Sequence, residues 1–161
     1  IKPHRSERTE KMKILNEIKF TVPADSRNEG LSRVVVSAFA AQLDPSVSEV
    51  GEIKTAVSEA VTNCIVHAYK GTSSDKSRIE ITARALEDNT LYIKIRDSGC
   101  GIPDIKKAME PMYTSAPEEE RAGLGFAVME SFMDQVTVRS TPGKGTTVIM
   151  KRRILSEKSN T

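Results

Sequence analysis

Glu59 and Asn63 stand one helical turn apart in Glu59-Ala60-Val61-Thr62-Asn63, and an acid beside an amide at that spacing suits phosphoryl chemistry. The asparagine can give a magnesium ion one neutral oxygen and leave triphosphate oxygens and water to complete the octahedron. The carboxylate is placed to accept a proton from a hydroxyl or a water lined up on a γ-phosphate. Alone, the pair reads more simply as solvated polar residues on an amphipathic helix. Two further segments change that balance. Asp97-Ser98-Gly99-Cys100-Gly101 puts an acid directly after a predicted strand, where it can accept a hydrogen bond from an exocyclic amine such as adenine N6 and so select adenine over guanine. Gly99 and Gly101 permit positive φ and close approach to a flat base, although a lone Asp-Ser-Gly is usually just a turn. Gly123-Leu124-Gly125 opens a helix whose free amides and dipole can hold phosphate oxygens, although a glycine pair by itself is more often a hinge. Arg121 is either a charge-assisted donor to a γ-phosphate or a surface partner of the neighbouring glutamates. In this order the segments form one site, and its nucleotide is ATP with Mg2+.

Other phosphate motifs fail on spacing. A dinucleotide fingerprint would need a third glycine where Asp104 or Val128 stands, and a P-loop ending in Gly143-Lys144 would need one at Val138. The His-Arg-Asp and Asp-Phe-Gly triplets of ordinary protein kinases are absent from the sequence.

The elements that must position these residues are legible in the periodicity. Ile18, Phe20 and Val22 alternate up to Pro23 as a half-buried strand. Ser26 and Glu29 form a candidate capping box for a helix reaching about Gln42, with Leu31, Val34, Val35, Ala38 and Phe39 as its apolar stripe. Asp44-Pro45 then supplies an N-cap and a first-turn proline for a long helix ending at Gly71. On that helix Ile53, Val57, Ala60, Val61, Cys64 and Ala68 share one face, and Glu59 and Asn63 lie opposite. The alternations 79–85 and 91–95, joined by Glu87-Asp88-Asn89-Thr90, predict an antiparallel hairpin. Short helices follow at 103–109 and 126–133, separated by a proline- and glutamate-bearing stretch, 110–122, expected to be mobile. Strands at 135–140 and 146–151 close the domain around a Pro-Gly turn.

Hairpin blocks rather than strict alternation imply an α+β two-layer sandwich: a mixed, largely antiparallel sheet with helices on one face. The other face is then solvated or covered by a second copy, with the first strand as an exposed edge. The 161 residues suit one domain, taken as 12–153, followed by a polar tail at 154–161. Residues 1–11 read as a leader from cloning or an upstream start codon, or else as a disordered arm. With 24 Lys+Arg against 22 Asp+Glu, interspersed, a net charge of +2 gives no pull toward nucleic acid. No apolar run is long enough to cross a bilayer, and the two cysteines lack disulfide or zinc spacing, so a soluble cytoplasmic protein is expected.

Together, Glu59-x-x-x-Asn63, Asp97-x-Gly99-x-Gly101, Gly123-x-Gly125 and Gly145-Thr146-Thr147 resemble the N, G1 and G2 boxes and terminal threonine of the Bergerat ATP-binding fold, shared by gyrase, Hsp90, MutL and histidine kinases. Within that superfamily, Ser58 to Asn63, Glu120 to Phe126 and Met129 to Asp134 resemble the bacterial anti-sigma F factors, over about residues 12–151. The resemblance implies a homodimeric serine kinase that sequesters a sporulation sigma factor (sigma F) and phosphorylates an anti-anti-sigma factor. It implies Glu59 as catalytic base, Asn63 as magnesium ligand and Asp97 as the adenine-recognising acid. Thr147 becomes a second contact near the base, Gly99, Gly101, Gly123, Leu124 and Gly125 line the nucleotide, and Arg121 meets its terminal phosphate. Arg33 becomes the residue that meets both protein partners. A general-stress anti-sigma B kinase, a nucleotide-gated sigma-binding module and a histidine-kinase fragment are the competing readings. The G1 box departs from the family's usual Asp-Glu-Gly-Ile-Gly, with Ser98 and Cys100 in place; Cys100 is expected to be a buried, inert thiol.

Overall fold

The computed structural model describes residues 11–70, 74–110 and 125–155. A single five-stranded sheet runs through them in the order β1-β2-β3-β5-β4: β1 (Ile14–Pro23), β2 (Arg78–Leu86), β3 (Thr90–Asp97), β4 (Gln135–Thr141) and β5 (Gly145–Arg153). Every pairing is antiparallel, and β1 is an edge strand as expected. The helices α1 (Arg27–Ala40), α2 (Val47–Asn63) and α4 (Gly125–Phe132) share one face; α3 (Ile105–Met109) is a single turn after β3. Ile79, Ile81, Leu91, Ile93, Ile95 and Met150 point from the strands to Ile53, Val57 and Val61 of α2, all essentially sealed from water. Burial of these branched side chains stabilises the layer by roughly 1.5–3 kcal/mol apiece.

Helix starts differ from the sequence expectation in a consistent way. Ser26 adopts helical angles and makes no side-chain cap; Asp25 instead accepts the Arg27 amide at 2.9 Å and pairs with its guanidinium. Asp44 does not cap α2 either, because at φ 58 it closes a 3-10 turn over 41–43. The capping box belongs to Ser46 and Glu49, whose side chains take each other's backbone amides at 3.1 and 3.0 Å. Glu49 has a second task that explains its burial: it meets Arg152 at 3.7 Å and accepts the Leu155 amide at 3.2 Å, fastening the last strand to the first turn of α2.

The apolar stripe of α1 is also rotated. Leu31 and Val34 stand 50% and 55% exposed, while Ser32, Val36 and Ala40 face the core. Ser32 is tolerated there because its hydroxyl donates to the Asn28 carbonyl at 2.6 Å, one turn back.

The sheet's other face carries Glu17, Lys19, Arg84, Lys94 and Arg96 at its surface, with the Arg84 guanidinium 4.9 Å from the Tyr92 ring centroid. The expected mobile stretch, apart from Glu110, and Gly71 as a helix stop lie outside the described residues. Among the described residues no helix is long and apolar enough to cross a membrane.

Candidate nucleotide site

The α-helix proper ends at Asn63, and the chain continues as a π turn over Cys64–Ala68 that closes with Tyr69 N donating to Cys64 O at 3.1 Å. Such wide turns are rare and cluster at functional sites. Here the turn swings the end of the helix against the loop that follows β3. Asn63, Cys64 and His67 thereby line one side of a cavity of about 310 Å³, and Asp97, Cys100, Ile102 and Pro103 line another. Phe126 of α4 and Val148 of β5 complete apolar walls suited to a flat base.

Asp97 sits at the floor, only 6% exposed. Its Oδ1 accepts the Gly99 amide at 2.9 Å and the Thr146 amide at 3.2 Å. Burial pushes its pKa above the ordinary carboxylate value, while those amides and the Cys64 thiol favour the charged form. Cys64 is buried and its thiol is pushed well up, first by desolvation and then by the Asp97 charge, so it faces the carboxylate as a protonated donor. Cys64 did not stand out in the sequence, because as one residue of the helix's apolar stripe it reads as core until Asp97 is placed against it.

The glycines of the loop are required by close contacts within the protein, and Gly101 lines the cavity as well. A Cβ on Gly99 would lie 2.3 Å from the Ala68 carbonyl oxygen, and one on Gly101, at φ 74, would lie 2.4 Å from that of Thr141. The loop is thus wedged between two protein backbones. Cys100 N donates to Ala68 O at 3.0 Å, and Gly143 N donates to Cys100 O at 2.7 Å. Ser140 adds a third tie, its hydroxyl accepting the Ile102 amide at 2.7 Å. Cys100 itself is exposed at the cavity rather than buried, its thiol 3.3 Å from the His67 carbonyl.

One sequence expectation is corrected by strand parity. Thr146, Val148 and Met150 share the helix-facing side of β5, which turns Thr147 to the opposite face beside Arg96 and Arg139. Thr146 is therefore the threonine at the cavity, and the apolar alternation Val148-Met150 already contained that parity. Glu59 and Asn63, expected on the helix face opposite the core stripe, are both half-buried.

Gly125 brings the third segment to the first. A Cβ there would stand 3.2 Å from the Asn63 amide nitrogen and 3.3 Å from both Asn63 Oδ1 and Glu59 Oε2. Glu59 borders a second, more open groove between α1 and α2, with Ser26, Glu29, Arg33 and Lys54 around it. Arg33 is paired there with Glu29 at 3.1 Å. Arg121, Gly123 and Leu124 lie outside the described residues. The donor set fits ATP with magnesium. Asn63 has a neutral oxygen at the junction of cavity and groove, the cavity floor carries an acceptor for an amine, and α4 begins beside both.

Residues 22–152 match the histidine kinase-like ATPase domain. An anti-sigma F factor from Caldanaerobacter subterraneus is 55% identical over 86% of this chain and 92% of its own, and one from Thermoanaerobacter sp. is 50% identical over 91% and 100%. The Geobacillus kaustophilus anti-sigma F factor is 48% identical over 89% of this chain and 97% of its own. Among solved structures, the RsbU and RsbW domains of a Mycobacterium tuberculosis protein superpose with a TM-score of 0.60 at 19% identity, covering 86% of this chain and 32% of that one. The blue-light activated histidine kinase of Erythrobacter litoralis gives 0.53 at 19%, covering 81% and 43%. This chain belongs to the anti-sigma F factor family and is built on the histidine kinase-like ATPase domain.

Proposed function

We propose that this protein is a cytoplasmic serine kinase that holds a sporulation sigma factor inactive and phosphorylates an anti-anti-sigma protein. The observation that carries the reading is the position of Gly125, within 3.3 Å of both Glu59 and Asn63 by its Cβ direction. That contact links the start of α4 to an acid and an amide at the mouth of a base-sized cavity. When bound, ATP with magnesium supplies the phosphoryl group. Asn63 would hold the metal through its amide oxygen. Asp97 accepts the exocyclic amine of the base and so sets the nucleotide's depth. Glu59 takes the proton from the attacking serine hydroxyl as its oxygen bonds to phosphorus, and the bond from that phosphorus to the β-phosphate oxygen breaks. Arg121, Gly123, Leu124 and Gly125 would embrace the phosphates as α4 begins.

The groove that holds Glu59 also holds Arg33 and Lys54, which supports a shared docking surface for the sigma factor and the serine-bearing substrate. A contest between the two partners for that groove then becomes the regulatory event. The edge strand β1 and the open sheet face are where a second copy would pair. Sigma F is favoured over a general-stress sigma factor because relatives at 45–55% identity carry the anti-sigma F name, whereas likeness to the RsbW domain is 19% and speaks for fold alone. Transfer of label from ATP to a small anti-anti-sigma protein tests the reading. Capture of sigma factor without any transfer would leave a nucleotide-gated binding module in its place.

A further inference from the structure

Tyr69 occupies the seam between the elements that carry Asn63 and Asp97. Its hydroxyl donates to the Arg78 carbonyl at 2.6 Å and accepts the Ser98 amide at 2.8 Å. One phenol therefore joins the end of the π turn to the first residue of β2 and to the first residue beyond β3. Neighbouring bonds follow the same seam, since Ala68 O accepts the Cys100 amide and Gly99 presses on that same carbonyl.

Ser98 lies between the two residues that aim the carboxylate. Asp97 carries it, and the Gly99 amide holds its Oδ1 at 2.9 Å. The Ser98 amide belongs to the peptide plane that joins it to Asp97, so holding it fixes the backbone from which the carboxylate springs. A tyrosine hydroxyl suits this place because it donates and accepts at once, and its ring has only two torsions to lock. The π turn is what delivers it. An extra residue in that turn shifts the ring about the helix axis, and ordinary α-helical winding would carry Tyr69 away from Ser98.

We propose that Tyr69 is a positioning residue for base recognition, its hydroxyl holding the loop after β3 so that Asp97 is aimed at the exocyclic amine of the purine. The inference rests on the reading of Asp97 as the acid that recognises adenine. Its signature is selectivity rather than affinity in general. Loss of the hydroxyl loosens the carboxylate's aim, which matters to a base with an amine and little to a base without one.

The experiment titrates wild type, Tyr69→Phe, Asp97→Asn and the double variant with magnesium-ATP and with magnesium-ITP, whose base carries a carbonyl in place of the amine. Wild type is expected to prefer ATP. Tyr69→Phe should lose about three- to tenfold in ATP affinity with ITP affinity nearly unchanged, the scale of one hydrogen bond. The double variant should bind ATP no more weakly than Asp97→Asn alone, since the tyrosine acts through that carboxylate. Equal losses for both nucleotides, or an undiminished preference for ATP, overturn the inference while leaving the reading of Asp97 intact. A wild type without preference sinks that reading, and the inference with it. Should Tyr69→Phe fail to fold, Ser98→Pro removes the same bond from its donor side and must reproduce the ATP-selective loss.

Discussion

Asp97 and Glu59 are both carboxylates of one site, yet their surroundings have little in common. Asp97 is 6% exposed, held by two backbone amides and faced by a protonated thiol, in a cavity whose walls are mostly apolar. Glu59 is half-buried in an open groove bordered by Arg33, Lys54 and Glu29. The first environment is fixed by the fold and, in the proposed function, reads a small rigid molecule. The second is a surface that a protein can enter and leave. The proposed function, in which one nucleotide is recognised while protein partners are exchanged, would benefit from this separation, with Gly125 as the point where the two meet.

Removing the acid on the exchangeable side should give the largest effect. Glu59→Gln keeps the shape and is expected to lower serine phosphorylation by about 10²–10⁴-fold, the usual contribution of a positioned base, with ATP affinity changed little. Single-turnover transfer beside equilibrium binding checks this, and parallel losses in both would erase the distinction between the two regions. On the fixed side, Asp97→Asn replaces an acceptor with an amide that can also donate. It should reduce the preference for ATP over ITP by roughly tenfold, as loss of a hydrogen bond to a charged group does, without a specific loss in the chemical step. Gly99→Ala sharpens the contrast from another direction. Its Cβ must displace the Ala68 carbonyl, so we expect a cost of about 1–3 kcal/mol in denaturant unfolding together with weakened nucleotide binding. An alanine at Gly51 on α2, where a Cβ meets nothing within 4 Å, should be neutral or slightly stabilising in the same assay.

These contrasts also explain what was readable in the residues. Strand alternation, the hairpin at Asn89 and the pairing of Glu59 with Asn63 are local patterns, and local patterns survive in one dimension. Helix starts were misassigned where several capping residues compete within a few positions: Asp25 displaced Ser26, and Ser46 displaced Asp44 because Glu49 was also wanted by Arg152 and Leu155. The α1 stripe was rotated because a hydroxyl bonded to its own helix can take a core position, which apolar counting does not foresee. Tyr69 reaches the site only through the π turn, a departure from 3.6 residues per turn that no periodicity announces. Thr147 was a different kind of miss, since counting alternate residues from Met150 leads to Thr146.

The smallest expected effect, a pH dependence, distinguishes the buried carboxylate from the open one. Burial holds the Asp97 pKa above its unfolded value, so the folded chain keeps that proton more readily than the unfolded chain does. Its contribution to stability is therefore fully present below the unfolded value and is lost as pH rises through the native one. Recognition of an amine needs the ionised acceptor and runs the other way, with ATP affinity rising through that same window. Cys64 and Tyr69, the titratable neighbours, are both pushed upward by burial and stay protonated there. Thermal unfolding without nucleotide and ATP titration, each stepped from about pH 4 to about pH 7, should show opposing slopes that Asp97→Asn flattens together. Any slope that survives in that variant belongs to other carboxylates, among them Glu17 and Asp25, which Arg84 and Arg27 hold below their ordinary values. If the slopes instead persist in Asp97→Asn and vanish in Glu59→Gln, the titrating acid is in the groove and the roles assigned to the two carboxylates must be exchanged.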